Sequence, residues 1–125
     1  MPPSPARPSV SRRAAEAHGR RAERIAGWWL RLKGWRILAR RVRTPAGEVD
    51  LVAKRGKLIA FVEVKARATD AELDLAIDER RLARVAAAAD ILYPRFATAG
   101  EDARIDVILL TRGRPPRHIE NAWIG

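Results

Sequence analysis

The sequence contains no cysteine, which removes disulfides, thiolate nucleophiles, zinc–thiolate sites and iron–sulfur clusters from consideration. Histidine is nearly as scarce. His18 and His118 are the only two, and residues so far apart in sequence do not supply the usual donor set of a zinc site. Long apolar runs are missing as well: stretches such as Val85 to Ala89 fall far short of the roughly 20 residues that span a bilayer. The start, MPPSPARPSVSRR, lacks the apolar region of a secretory signal, so a cytoplasmic location is expected, with an organelle presequence as the minor alternative.

Acidic residues are scarce in one part of the chain only. Residues 1–45 hold 12 Lys/Arg against two acids, Glu16 and Glu23, whereas residues 46–125 are neutral, so the whole net charge of +10 lies in the first part. Such an imbalance points to a polyanionic partner. Nucleic acid is the commonest, because each neutralised phosphate releases counterions and the arginine fork grips phosphate oxygens in pairs. Arg20, Arg21, Arg24, Arg36, Arg40, Arg41 and Arg43 are the expected contacts. The alternative is a solvated helix face.

What is present suits one folded unit. At 125 residues, 47% hydrophobic and 32% charged, the chain is long enough for one core. Residues 1–12 contain four prolines and no apolar periodicity, so they read as a flexible arm, leaving a single domain over 13–125. From Arg13 to Lys33 apolar residues recur at helical spacing, with Gly34 placed to end the helix. Trp35 to Val42 reads as a strand, and Thr44-Pro45-Ala46-Gly47 breaks it. Glu48 to Ala53 and Leu58 to Ala66 read as a hairpin. After a polar connection over Asp70 to Asp74, Ile77, Leu82, Val85, Ala86, Ala89 and Leu92 mark a second helix ending near Pro94. Ala103 to Thr111 is a buried strand, and His118 to Ile124 adds a short edge strand after the RGRPP turn. The order αβββαβ, with a last edge strand, implies an α/β fold: a mixed central sheet flanked by helices.

The hairpin carries the chemistry. Residues two apart on a strand share a face, so Glu48 pairs with Asp50 and Glu63 with Lys65. Taking Arg55-Gly56 as the two-residue turn sets Asp50 opposite Phe61 and Glu48 opposite Glu63. Asp50 and Glu63 are then diagonal neighbours, about 7–8 Å apart. A slip of one residue sends Asp50 to the other face unless a bulge restores it. Carboxylates without histidine or cysteine suit Mg²⁺ or Mn²⁺, which activates phosphodiesters for hydrolysis. Lys65 can orient or deprotonate water and stabilise developing charge. The acid-x-Lys motif alone is weak, since roughly 0.5 chance occurrences are expected in a chain of this composition. The same four residues also read as ion pairs on a solvated sheet face.

The segment GEVDLVAKRGKLIAFVEVKAR resembles the central motif of the YraN-type family, Holliday-junction-resolvase-like members of the PD-(D/E)xK nuclease superfamily. The likeness extends from HGRRAERIAGWWLRLKGWRILARRVR through ARIDVILL to HIENAWIG. It implies a restriction-endonuclease-like fold and a metal-dependent endonuclease acting on branched or structured DNA. It also implies Asp50 and Glu63 as metal-binding acids, Lys65 as the catalytic lysine, and Glu23, on the first helix, as a further metal ligand. Two positions depart from the family pattern: Ala22 stands where glycine is common, and Arg81 stands for a second-helix lysine. Glu48 and Arg81 are supporting residues on this reading. The alternatives are a non-catalytic DNA-binding adaptor on a nuclease fold and a protein-interaction domain; a homodimer is left open.

Outside the motif, core packing is expected for Trp28, Trp29 and Trp35, with Trp28 the best placed to reach solvent and stack on an exposed base. His118 reads as a strand or rim residue. Asp106, between Ile105 and Val107, needs an arginine partner if it is buried.

Overall fold

A computed structural model describes residues 10–68 and 79–123, with side chains of the first helix from Gly19 onward. The elements run α1 (Val10–Leu32), β1 (Arg36–Thr44), β2 (Gly47–Arg55), β3 (Leu58–Arg67), α2 (Glu79–Phe96), β4 (Asp102–Thr111) and β5 (Arg117–Ile119). The strands form one sheet in the order β1-β2-β3-β4-β5. All neighbours are antiparallel except β3 and β4, which run parallel. The expected mixed sheet flanked by helices, in the order αβββαβ with a last edge strand, is therefore what the chain builds. The parallel pair follows from the helical crossover between β3 and β4, since two parallel strands need a long connection.

Helix α1 begins at Val10 rather than Arg13. Its end is a Schellman motif: Trp35 N–H donates to Leu30 O at 2.9 Å and Gly34 N–H to Arg31 O at 3.0 Å. Gly34, at φ 92°, takes the left-handed turn that residues with a Cβ avoid. Leu30 and Trp35 then bury together. Helix α2 continues to Phe96 with Pro94 inside it, past the expected stop. Proline at this position leaves the hydrogen bonds beyond it intact, and Ala97 N–H closes the final turn on Tyr93 O at 2.8 Å. The expected connection over Asp70 to Asp74, Ile77 and Ile124 lie outside the described residues; the edge strand expected over His118 to Ile124 is shorter, Arg117–Ile119, and Glu120 and Asn121 turn away from it.

The sheet buries both faces. Against α2 lie Val42, Val49, Val52, Ile59, Phe61, Ile105, Val107 and Leu109, meeting Leu82, Val85, Ala88, Ala89 and Leu92. Against α1 lie Leu51, Ala53, Ala60, Val62 and Ile108, meeting Ala26 and Leu30. This explains why β3 and β4 read as nearly continuous apolar runs, the pattern of strands covered on both sides.

The hairpin register differs from the expected one. Arg55 pairs with Leu58, Ala53 with Ala60 and Leu51 with Val62, so the two-residue turn is Gly56-Lys57, not Arg55-Gly56. The reason is local. Gly56 has φ 62°, and a positive-φ glycine at the first central position is the pattern of II′ turns. The pairing shifts by an even step, so the faces of Glu63 and Lys65 are unchanged, but continuing the register past Leu51 brings Asp50 level with Glu63 rather than with Phe61. The alternation of β2 also breaks at Asp50. Val49 and Leu51, two apart, pack on opposite faces of the sheet, which a regular strand does not allow. Across from Asp50, between the pairs Arg40–Leu51 and Val42–Val49, Arg41 has φ 50°. Both strands are thus irregular at one point, the kind of local distortion that re-aims a side chain.

Candidate active site

The distortion in β2 turns Asp50 toward β3, where its Oδ2 accepts the Val64 N–H at 2.8 Å. Glu63 and Lys65 lie two apart on β3, a strand with neighbours on both sides, and both are buried. Lys65 Nζ is 3.2 Å from Glu63 Oε1. Arg81 reaches in from α2 and donates through Nε to the same oxygen at 2.6 Å. On the α1 side Glu23 accepts from Arg41 Nε at 2.7 Å.

The electrostatics of Asp50 follow from this setting. Burial comes first and the neighbouring Glu63 second; Glu23 adds to them, and the hydrogen bond from Val64 opposes them. Together they push the Asp50 carboxyl up to about 7. Burial also holds Lys65 below its ordinary value; Glu63 opposes that, while Arg81 and Arg67 add to it. A half-buried carboxylate crowded by a second carboxylate is a place where a hard cation with oxygen preference fits. Among the described residues no three His, Cys, Asp or Glu side chains form a cage of their own. Asp50 and Glu63 are the acids that could hold such an ion.

Of the residues expected to act together, Asp50, Glu63, Lys65 and Arg81 do meet. Glu23 lies near enough to Asp50 to raise its pKa, but its own carboxylate is engaged by Arg41. Glu48 does not join them. It pairs with Arg43 at 3.3 Å on the exposed rim, because Arg43 is its direct partner across β1 and β2.

The expected nucleic-acid contacts divide between surfaces. Arg20, Arg24, Arg40 and Arg41 line one recess of about 670 Å³ together with Glu23 and Trp28. Arg21 lines a second, of about 530 Å³, with Arg67, Arg112 and Arg114 over a floor that includes Ala22, Ile25 and Leu110. Arg36 and Arg43 are exposed on β1. Arg80 and Arg84, with Arg81, flank Glu48 along a further recess of about 430 Å³. Sequence reasoning missed Arg67, Arg80, Arg84, Arg112 and Arg114, since a count by segment cancels them against acids that the fold places elsewhere. The signal that was present is the spacing of Arg80, Arg81 and Arg84, which shares one helical face.

No helix among the described residues is long and apolar enough to cross a membrane. A Holliday junction resolvase of Archaeoglobus fulgidus, Hjc, is similar over 80% of this chain and 73% of its own, at TM-score 0.49 and 21% identity; at that level nothing about activity transfers. A UPF0102 protein of Sphingopyxis alaskensis is 62% identical over 91% of this chain and 98% of its own length. One of Erythrobacter litoralis is 66% identical with the same coverage. The model of the uncharacterised protein family UPF0102 matches residues 22–110, a span that includes Glu23, Asp50, Glu63, Lys65 and Arg81, and the chain belongs to this family, the YraN-type family that its central motif resembles.

Proposed function

We propose that this protein is a Mg²⁺- or Mn²⁺-dependent endonuclease acting on branched or otherwise structured DNA. The observation that carries the reading is the convergence of Asp50, Glu63 and Lys65 where β2 is distorted, beside surfaces rich in arginine. Asp50 and Glu63 would hold the ion, with Glu23 as the nearest further acid. When bound, the ion supplies Lewis acidity toward a phosphoryl oxygen and acidifies water. Lys65 Nζ, with its pKa lowered by burial, accepts a proton from the attacking water or, when charged, steadies the negative charge that develops on phosphorus oxygens. Arg81 turns Glu63 by its hydrogen bond and fixes which oxygen faces the site. The arginines of α1 and β1 hold the substrate backbone.

The test is cleavage of junction, flap, single-stranded and duplex DNA with Mg²⁺ and with Mn²⁺, beside Asp50→Ala, Glu63→Ala and Lys65→Ala. Loss in all three is expected; metal-dependent cleavage that survives Asp50→Ala and Lys65→Ala sinks the assigned roles. A second reading, a DNA-binding adaptor that has kept the fold, is favoured by Glu63 and Glu23 already being neutralised by Arg81 and Arg41. Salt-sensitive binding without cleavage across both metals and all four DNA forms would select it.

A further inference from the structure

Trp28 is 64% exposed. Trp35 is buried, whereas Trp29 is partly buried and packs against the α1-side core. An indole left in water forgoes the largest burial gain a side chain can make, so its surroundings are informative. Trp28 lies in the recess formed by Arg20, Arg24, Arg40, Arg41 and Glu23, and the Arg31 guanidinium stands 5.5 Å from its ring centre. Arg20, Arg24 and Arg40 have no acidic partner among the residues whose side chains are described. The placement of Arg40 depends on a glycine: a Cβ at Gly27 would lie 3.1 Å from the Arg40 guanidinium, so Arg40 rests across the helix at a position with no side chain. Glycine in a helix interior is unfavourable against alanine, and here it lets a cation settle in the recess that Trp28 lines.

Resting on the nuclease reading above, we propose that this recess seats an unpaired nucleotide of the DNA substrate, its base stacked on Trp28 and its flanking phosphates held by Arg20, Arg24 and Arg40. The aromatic face selects the kind of nucleotide. A base inside a duplex already has both faces covered by its neighbours, whereas a splayed or single-stranded base has a free face to offer, and stacking of that kind tolerates any base. The arginines supply what every nucleotide has in common, a phosphate. Because Glu23 lines the same recess and stands near Asp50, the seated nucleotide lies next to the carboxylates. The substrate feature recognised is an unpaired stretch bordering the cut.

The experiment is binding of full-length protein in EDTA, read by fluorescence anisotropy, to a flap, to single-stranded DNA and to a blunt duplex. Trp28→Ala is expected to weaken flap and single-strand binding about tenfold and to leave duplex binding within about twofold, while Trp28→Phe stays within about threefold of wild type on all three. Equal loss on duplex and flap, or no loss on the flap, overturns the proposal. An unchanged melting temperature, expected for so exposed a side chain, separates a binding effect from a folding one. Cleavage plays no part in this readout. Trp28-dependent binding by a protein that cuts nothing would remove the nuclease reading and keep the stacking seat; cleavage with binding indifferent to Trp28 would do the reverse.

Discussion

Two acids on the same sheet, half-buried Asp50 in β2 and fully buried Asp106 in β4, are both drawn out of water by the fold and set apart by their partners. Asp106 is fully buried and is enclosed by donors: Arg104 Nε at 2.9 Å and Nη2 at 3.2 Å, His118 Nε2 at 2.7 Å and the Asn121 N–H at 2.9 Å. Burial alone would raise its pKa, but these bonds outweigh it and hold Asp106 below the usual carboxylate range. Asp50 receives one backbone N–H and faces two other carboxylates, so burial wins. The first arrangement ties the C-terminal segment to β4. The second keeps a carboxylate whose charge is best balanced by something the chain does not supply. An acid satisfied by its own protein reports on stability, and an acid left short of donors reports on function.

The largest expected effect breaks the comparison on its functional side. Lys65→Ala should lower metal-dependent cleavage by roughly 10²–10⁴-fold, measured on whichever DNA form the wild type cuts. On the structural side, Asp106→Ala leaves Arg104, His118 and the Asn121 N–H without their acceptor. It should cost about 3–5 kcal/mol, the range for breaking a buried pair, read from urea denaturation; a cost below about 1 kcal/mol would remove the contrast.

pH separates the two acids by sign. The folded pKa of Asp106 is lowered, so its stabilisation is present above the unfolded value of about 3.9 and is lost as pH falls through the folded value. The folded pKa of Asp50 is raised to about 7, so its contribution is present below the unfolded value and is lost as pH rises toward 7. A cation on Asp50 has to displace that proton. Mn²⁺ should therefore raise the melting temperature more at about pH 8 than at about pH 5.5, and Asp50→Asn should abolish that difference. The smallest effect is that of Glu48→Gln. Its exposed pair with Arg43 is worth no more than about 0.5 kcal/mol, and neither stability nor cleavage should move beyond that; a cleavage loss as large as that of Lys65→Ala would return Glu48 to the site.

Much of this was legible in the residue order, and the limits are specific. The order αβββαβ, the Gly34 stop and the face shared by Glu63 and Lys65 all follow from short-range rules: periodicity, positive φ and alternation along a strand. The need of Asp106 for an arginine was legible too, although the identity of Arg104 and the part played by His118 were not, since His118 arrives by the pairing of β5 with β4. The register of the hairpin is not legible in the same way, because the position of a glycine within a two-residue turn depends on the turn type, which pattern alone does not choose. Trp28 and Trp29 were separable by helical angle, but that Trp28 stands among arginines from another element was not.

By itself, the sequence determined which residues could do chemistry here. With no cysteine and two distant histidines, acids and a lysine were left as the reactive inventory, and the spacing of Glu63 and Lys65 put those two on one side of a strand. Only the tertiary structure decided how they meet. The break in alternation at Asp50 and the left-handed Arg41 across from it arise where two strands and a helix must pack at once, and the approach of Arg81 depends on how α2 returns over the sheet. Those are long-range steric outcomes, invisible to local pattern because no residue within a few positions of Asp50 carries the information.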